Sequence, residues 1–301
     1  MEYAPIVVFA FNRLEALKAC IDSLLGNEEA GESDLIVFAD GPREGKEGEK
    51  KKVEDVREFV KNITGFKSLT YQFSDKNKGL AESIIDGVSQ VMMQYGRAIV
   101  IEDDLICSSN FLAFMNQGLE KYESEKEVFS VSGFSHPIRL KAGYDYDGYF
   151  APRSGSWGWA TWKDRWETVD WHLNDWEKVE KNKRQFNKWG GSDCYSLLKG
   201  WKRGSNNSWA IRFDYAQFLQ KKTSLFPAVS KISNQGFIVG GTHCKDDNVH
   251  RYKMVMDSGG NKQFNLPDRI EEIAYIRKQR LWPNSLYVRI ASKIRRLIKI
   301  A

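Results

Sequence analysis

Ala98-Ile-Val-Ile-Glu-Asp-Asp-Leu105 runs from four small or apolar residues straight into three acids. The apolar half reads as a buried strand. Three adjacent carboxylates repel one another unless a cation or a donor sits among them. In open α/β sheets ligands bind at the carboxyl ends of strands, and this cluster lies at such an end. The stretch therefore suggests an enzyme that uses a divalent cation and acts on a diphosphate.

The residues around it supply the rest of a sheet. Pro5–Phe11 is a continuous apolar run, and Leu35–Ala39 is a second one that ends in Asp40-Gly41-Pro42. Such unbroken runs are expected of strands covered on both faces. Leu69–Phe73 alternates as a third strand. Between the strands, Leu14–Leu25, Val53–Lys61, Leu80–Tyr95 and Asn110–Tyr122 carry apolar residues at helical spacing. Ser109 or Asn110 is the cap of the last of these. This β-α alternation over the first 125 residues or so predicts a mainly parallel sheet flanked by helices.

The remainder changes character. Val128–Gly133 is strand-like, and Arg153–Trp176 is crowded with tryptophan. Asp193–Lys199 and Ile211–Lys221 read as helices, and Ser224–Ser233 as extended chain. We divide the chain into a ligand-binding half (1–125), a second half of the same compact unit (126–265) and a helical tail (266–301). In 285–301 Leu286, Ile290, Ile294, Leu297 and Ile298 form one stripe, with Arg and Lys beside or opposite it and no acid. That pattern suits an amphipathic helix on an anionic membrane surface, or equally one packed on the protein with a solvated basic face.

Composition sets outer bounds. The chain has 301 residues, 42% hydrophobic and 13% aromatic, with a net charge of +5 concentrated toward the end. No nucleic-acid partner is read from that charge. Four cysteines form no C-x-x-C pair and fit neither a disulfide framework nor a zinc site. With no signal peptide evident before the first strand and no apolar run long enough to span a bilayer, the expected location is cytoplasmic, peripheral on the inner face of the membrane if the tail binds there. The G-x-G-x-x-G fingerprint and the P-loop are both missing.

The strand ends carry the chemistry. A hard divalent cation, Mn²⁺ or Mg²⁺, takes carboxylate oxygens and completes its shell with phosphate and water. Either Glu102 and Asp104 share a face of the strand, or the strand has ended and Asp104 alone reaches the metal. Asp40 can accept from a base N–H or a ribose hydroxyl, or simply serve an Asp-Gly turn. Asn77-Lys78-Gly79 precedes a helix, whose N-terminus favours phosphate oxygens. His243 can approach the diphosphate or metal, although a lone histidine is more often structural. Trp157 and Trp159, among glycines and serines, suit a loop that stacks on sugar; the other tryptophans suit a core.

Together, Pro5–Arg13, Ala39-Asp40-Gly41, Asn77-Lys-Gly79 and Ile101-Glu-Asp-Asp-Leu105 resemble the nucleotide-sugar half of GT-A glycosyltransferases. The nearest likenesses are family 2-like bacterial enzymes and the N-acetylglucosaminyltransferase I type, whose metal motif is Glu-Asp-Asp. Ser154–Trp162 and Ser208–Cys244 resemble, more loosely, bacterial polysaccharide-assembly glycosyltransferases. The resemblance implies a GT-A fold and a metal-dependent, inverting hexosyl- or N-acetylhexosaminyl-transferase that moves a sugar from UDP to a saccharide or lipid-linked acceptor. It implies that Ala10, Phe11, Asn12, Arg13 and Asp40 hold the nucleoside, and that Gly79 and Ser83 line the nucleotide. Asp103 would reach ribose or sugar hydroxyls, and Asp104 would bind the metal. Some relatives carry the acceptor base next to Trp209, where this chain has Ala210; Asp214 is the replacement, with Asp193 second. Rival readings are a nucleotidyltransferase, which lacks its basic glycine-rich loop here, and a non-catalytic saccharide-binding protein built on the tryptophans.

Overall fold

The computed structural model describes residues 2–235 and 255–290, apart from 286 and 289. Its centre is an eight-stranded mixed sheet in the order β3-β2-β1-β4-β8-β6-β9-β7. The strands are β1 (Ile6–Ala10), β2 (Asp34–Ala39), β3 (Ser68–Phe73), β4 (Arg97–Glu102), β6 (Val128–Ser132), β7 (Gly148–Ala151), β8 (Trp159–Trp162) and β9 (Thr223–Pro227). Helices α1 (Leu14–Leu25), α2 (Glu49–Lys61), α3 (Leu80–Tyr95) and α4 (Phe111–Lys121) link the strands of the first half.

β3, β2, β1 and β4 are mutually parallel, as the alternation predicts. Beyond β4 the sheet becomes mixed, with four of its seven strand pairs parallel overall. β8 inserts antiparallel to both β4 and β6, β9 runs parallel to β6, and β7 closes the edge antiparallel. β8 follows β7 in the chain, yet its neighbours in the sheet are β4 and β6, between which it inserts.

Strand alternation explains the unbroken apolar runs. Ile6, Val8, Ala10, Ile99 and Ile101 face a core shared with Leu17, Leu24, Val56 and Phe111 from α1, α2 and α4. Val7, Phe9, Ala98 and Val100 face the opposite core with Ile84, Val88 and Val91 from α3. The second core holds the tryptophans. Trp159 stacks on Trp209 at 4.8 Å and on Trp166 at 5.7 Å between ring centroids. These join α5 (Lys163–Trp166) and α8 (Trp209–Leu219) to the sheet. Two further helices, α6 (Trp176–Gly190) and α7 (Cys194–Lys202), pack outside α8 around Phe186 and Leu198.

The site depends on a smaller element. β4 ends at Glu102, Asp103 and Asp104 form a turn, and Leu105–Cys107 begins again as β5. β5 pairs antiparallel with β10 (Ile232–Asn234) in a sheet of its own. A last described helix, α9 (Ala274–Leu281), lies against β7 and the core around Tyr149 and Phe226. No helix among the described residues is long and apolar enough to cross a membrane. Most of the basic stripe of 285–301 lies outside those residues, as does His243.

Candidate functional site

The chain leaves β1 toward β2 on one side and returns to β4 on the other, so β1 and β4 flank a topological switch point. Crevices outside the carboxyl ends of strands at such a point are where open α/β sheets bind ligands. A cavity of about 390 Å³ opens there. Ala10, Phe11, Asn12, Arg13, Asp40, Gly79, Ser83, Glu102, Asp103, Asp104 and Trp157 all line it. Of the residues singled out in the sequence, the structure therefore brings together the β1 loop, the ends of β2 and β4, the start of α3 and one tryptophan.

Arg13 governs the acidic turn. Its guanidinium donates from Nη1 to Asp104 Oδ2 at 2.8 Å and from Nη2 to Asp103 Oδ1. Burial alone would lower the Arg13 pKa, but the two carboxylates outweigh it and hold the group above its ordinary value. Asp103 is 3% exposed and also accepts from the Phe11 backbone N–H at 3.4 Å. Burial pushes its carboxyl up to about 6 despite Arg13. Glu102 is pushed further, to about 8, first by burial and then by the charges of Asp104 and Asp103.

Asp104 keeps spare capacity. Its Oδ1 is buried and has no hydrogen-bond partner. A carboxylate oxygen with nothing on it suits a hard cation. Among the described residues no three His, Cys, Asp or Glu side chains converge as a metal set. A cation at Asp104 would thus depend on other oxygens, including those of a ligand. The strand has finished before Asp104, so Glu102 and Asp104 do not share a face of one strand.

Of the two roles that the sequence left open for Asp40, the structure shows the turn role. Its Oδ1 accepts from Gly41 N and Lys78 N, both at 2.8 Å, and its Oδ2 from Gly79 N at 2.9 Å and Asn77 Nδ2 at 3.0 Å. A carboxylate offers about four lone-pair sites, so none is left for a base or ribose. Asp40 instead pins the Asn77–Gly79 turn and thereby aims the N-terminus of α3 at the cavity. The turn sits so close that a Cβ on Gly41 would lie 2.5 Å from the backbone carbon of Lys76. No side chain caps α3, which leaves its first-turn N–H groups for a ligand anion. Ser83 Oγ, also lining the cavity, is buried without a partner.

The opposite wall is a stack that sequence reasoning missed. Arg43 lies over the Phe11 ring, 5.5 Å from its centroid. Glu49 holds it through a bond from Arg43 N to Glu49 Oε2 at 2.8 Å and an ion pair to the guanidinium, and also accepts from Asn12 Nδ2 at 3.1 Å. The Arg43 bonds draw the Glu49 carboxyl down to about 2. Both residues sit in a charged, glycine-rich stretch that reads as solvated loop, so only their position after Asp40-Gly41-Pro42 hinted at them.

Two expectations fail. Trp159 is 1% exposed and belongs to the tryptophan core, whereas Trp157 lines the cavity with its ring edge-on to Phe134 at 4.6 Å. Gly158 separates them with φ +56°, a left-handed turn that ends the loop before β8 begins. Asp214 is 3% exposed and does not line the cavity. It accepts from Ser154 N at 2.9 Å and Ser154 Oγ at 2.6 Å, and lies 3.3 Å from Arg153 Nε. The runner-up Asp193 is held by both terminal nitrogens of Arg153, at 2.9 and 3.1 Å. Because α8 is covered on nearly every side, an acid on it becomes an anchor and is closed to an acceptor.

No family model matches this chain, and no curated protein matches it either. Solved structures that it resembles include S. aureus TarS, at a TM-score of 0.39 and 10% identity, covering 76% of this chain and 35% of that one. For S. aureus TarS 1–349 the values are 0.38 and 9%, covering 75% and 58%. This chain thus spans well under two thirds of either TarS chain, and a likeness at this level carries nothing about the site.

Proposed function

We propose that this protein is a glycosyltransferase that takes a sugar from a nucleotide donor, a uridine diphosphate sugar, and passes it to a saccharide or lipid-linked saccharide. The observation that carries this reading is the cavity at the β1/β4 switch point. It unites an aromatic–cation wall, an uncapped helix N-terminus and an acidic turn with an unpartnered oxygen. A nucleoside diphosphate has a group for each: a planar base for Phe11, phosphates for the start of α3, and a metal-bridged diphosphate end for Asp104. The order of the motifs along the strand ends, with its likeness to GT-A enzymes, supports the same reading.

In this scheme Phe11 and Asn12 flank the base, and Asp40 acts through the Asn77–Gly79 turn. Arg13 holds Asp103 and Asp104 in place and offers a positive charge beside the diphosphate. A bound Mn²⁺ or Mg²⁺ would neutralise charge on the departing diphosphate. Trp157 offers an aromatic face where the transferred sugar meets the acceptor. Asp214 is not assigned as the base. Attachment to an anionic membrane through 285–301 belongs to the proposal on the sequence pattern of that segment alone.

The test is thermal unfolding of the whole chain with UDP, UDP-sugars, GDP, CMP and nucleoside triphosphates, each with and without Mn²⁺. The expected result is a metal-dependent rise in Tm confined to UDP and its sugars. No response to any uridine nucleotide, with or without metal, would overturn the reading, while a response to triphosphates alone would favour a nucleotidyltransferase.

A further inference from the structure

Three buried side-chain oxygens without a partner line the cavity: Ser83 Oγ, Asp104 Oδ1 and Asn234 Oδ1. Other unpartnered atoms, such as Glu29 Oε2 and Tyr215 Oη, lie on residues that do not line it. Buried polar groups are ordinarily satisfied, so several left open in one cavity indicate a missing ligand. Asn234 comes from the far half of the chain. It ends β10, opposite Leu105 of β5, and the next residue's N–H, from Gln235, donates to Asp104 O at 2.9 Å. Asn234 and Asp104 are therefore fixed side by side through the backbone.

Ser83 carries its own proton and can satisfy itself by donating to a ligand. Asp104 Oδ1 and Asn234 Oδ1 are different, because a carboxylate oxygen and an amide carbonyl only accept. Two such acceptors in one cavity with no donor on them call for something positive. Arg13 meets only the other oxygen of Asp104.

We propose that Asn234 is the second protein ligand of a divalent cation held by Asp104. Hard cations take amide carbonyl oxygens as readily as carboxylates. An amide adds an oxygen without adding a further carboxylate beside Glu102, Asp103 and Asp104. It also accounts for the lack of a three-carboxylate metal set among the described residues. The inference rests on the nucleotide-sugar reading, since diphosphate oxygens complete the shell.

Mn²⁺ binding is measured by electron paramagnetic resonance on the full chain, with and without UDP, for the unsubstituted protein, Asn234→Ala and Asn234→Asp. Far-ultraviolet circular dichroism checks that each is folded. We expect Asn234→Ala to weaken Mn²⁺ binding about tenfold or more. Asn234→Asp, which keeps an oxygen in place, should bind Mn²⁺ at least as tightly as the unsubstituted chain. Equal Mn²⁺ affinity in all three proteins would overturn the role of Asn234 and leave the nucleotide-sugar reading standing. Weakening by Asn234→Asp as large as that by Asn234→Ala would overturn it too, since shape and not the oxygen would then matter. If the unsubstituted chain binds UDP without any Mn²⁺ signal, the cation site falls, and if it binds neither, both readings fall.

Discussion

Two buried corners of this protein are built alike, each with one arginine bridging two aspartates. Arg153 joins Asp193 and Asp214, and Arg13 joins Asp103 and Asp104. At the Arg153 corner the acceptors are used up, since Asp193 gives both oxygens to Arg153 and Asp214 divides its own between Ser154 and Arg153. The Arg13 corner is unfinished, with Asp104 Oδ1 bare and Glu102 held near neutral by its surroundings. The pairing of charges is therefore a poor guide to function. What separates an anchor from a site is the acceptor capacity left over, and whether a cavity reaches it.

Removing the arginine of the closed corner should have the largest effect. Arg153→Leu strands the buried Asp214 and the part-buried Asp193 and is expected to cost about 3 kcal/mol, read as a fall in the urea midpoint at unchanged slope. If the folded fraction also lost its UDP response outright, the Arg153 corner would be part of the site and the contrast would break. Asp40→Ala comes next. It frees four donors, three of them in the turn before α3, for an expected loss of about 2–3 kcal/mol. It should also lower UDP affinity in calorimetry, although Asp40 touches no ligand in this account. Asp104→Asn should change stability by less than about 1 kcal/mol, since its partner Arg13 is part-exposed. It should nevertheless abolish the Mn²⁺-dependent part of UDP binding. A fully retained metal response in that variant would remove the distinction between the two corners.

A further effect concerns pH. Glu102 ionises at about 8 when folded against an ordinary 4.5. The folded chain thus keeps a proton that the unfolded chain releases, and stability should fall as pH rises through that window. Asp103, raised to about 6 by burial, acts in the same sense in the lower part of it. In the absence of divalent cations, thermal unfolding between about pH 5 and 9 should show this decline. Glu102→Gln should flatten its upper part, and an unchanged slope would mean that Glu102 is solvated and the corner less enclosed than its packing implies.

Much of the first half could be read directly because β1, β2 and β4 are buried on both faces and the helices on one. Leu80–Tyr95 is helical over the residues that its apolar spacing marks. The parallel block, the β4 terminus and the β1 loop follow from local pattern. What could not be read depends on partners far along the chain. Asp40 looks like a ligand group until its four donors are seen. Asp214 looks available until α8 is seen to be enclosed. Trp157 and Trp159 have the same neighbours in sequence, and only the entry of β8 into the sheet sends one to the cavity and the other to the core. Asn234 carries no motif, and its meaning comes from the pairing of β10 with β5.

That two-stranded pairing also bears on the order of assembly. Leu105 and Asn234 are brought together across more than a hundred residues, and such contacts close late because a long loop must first be ordered. The parallel block can gather as the nascent chain emerges, but its acidic turn waits for β10 before Asn234 stands beside it. A ribosome-bound chain cut short before residue 232 would hold the nucleotide wall without its second oxygen. Binding competence would then appear abruptly, once β10 can pair with β5, and not grow in proportion to the length made.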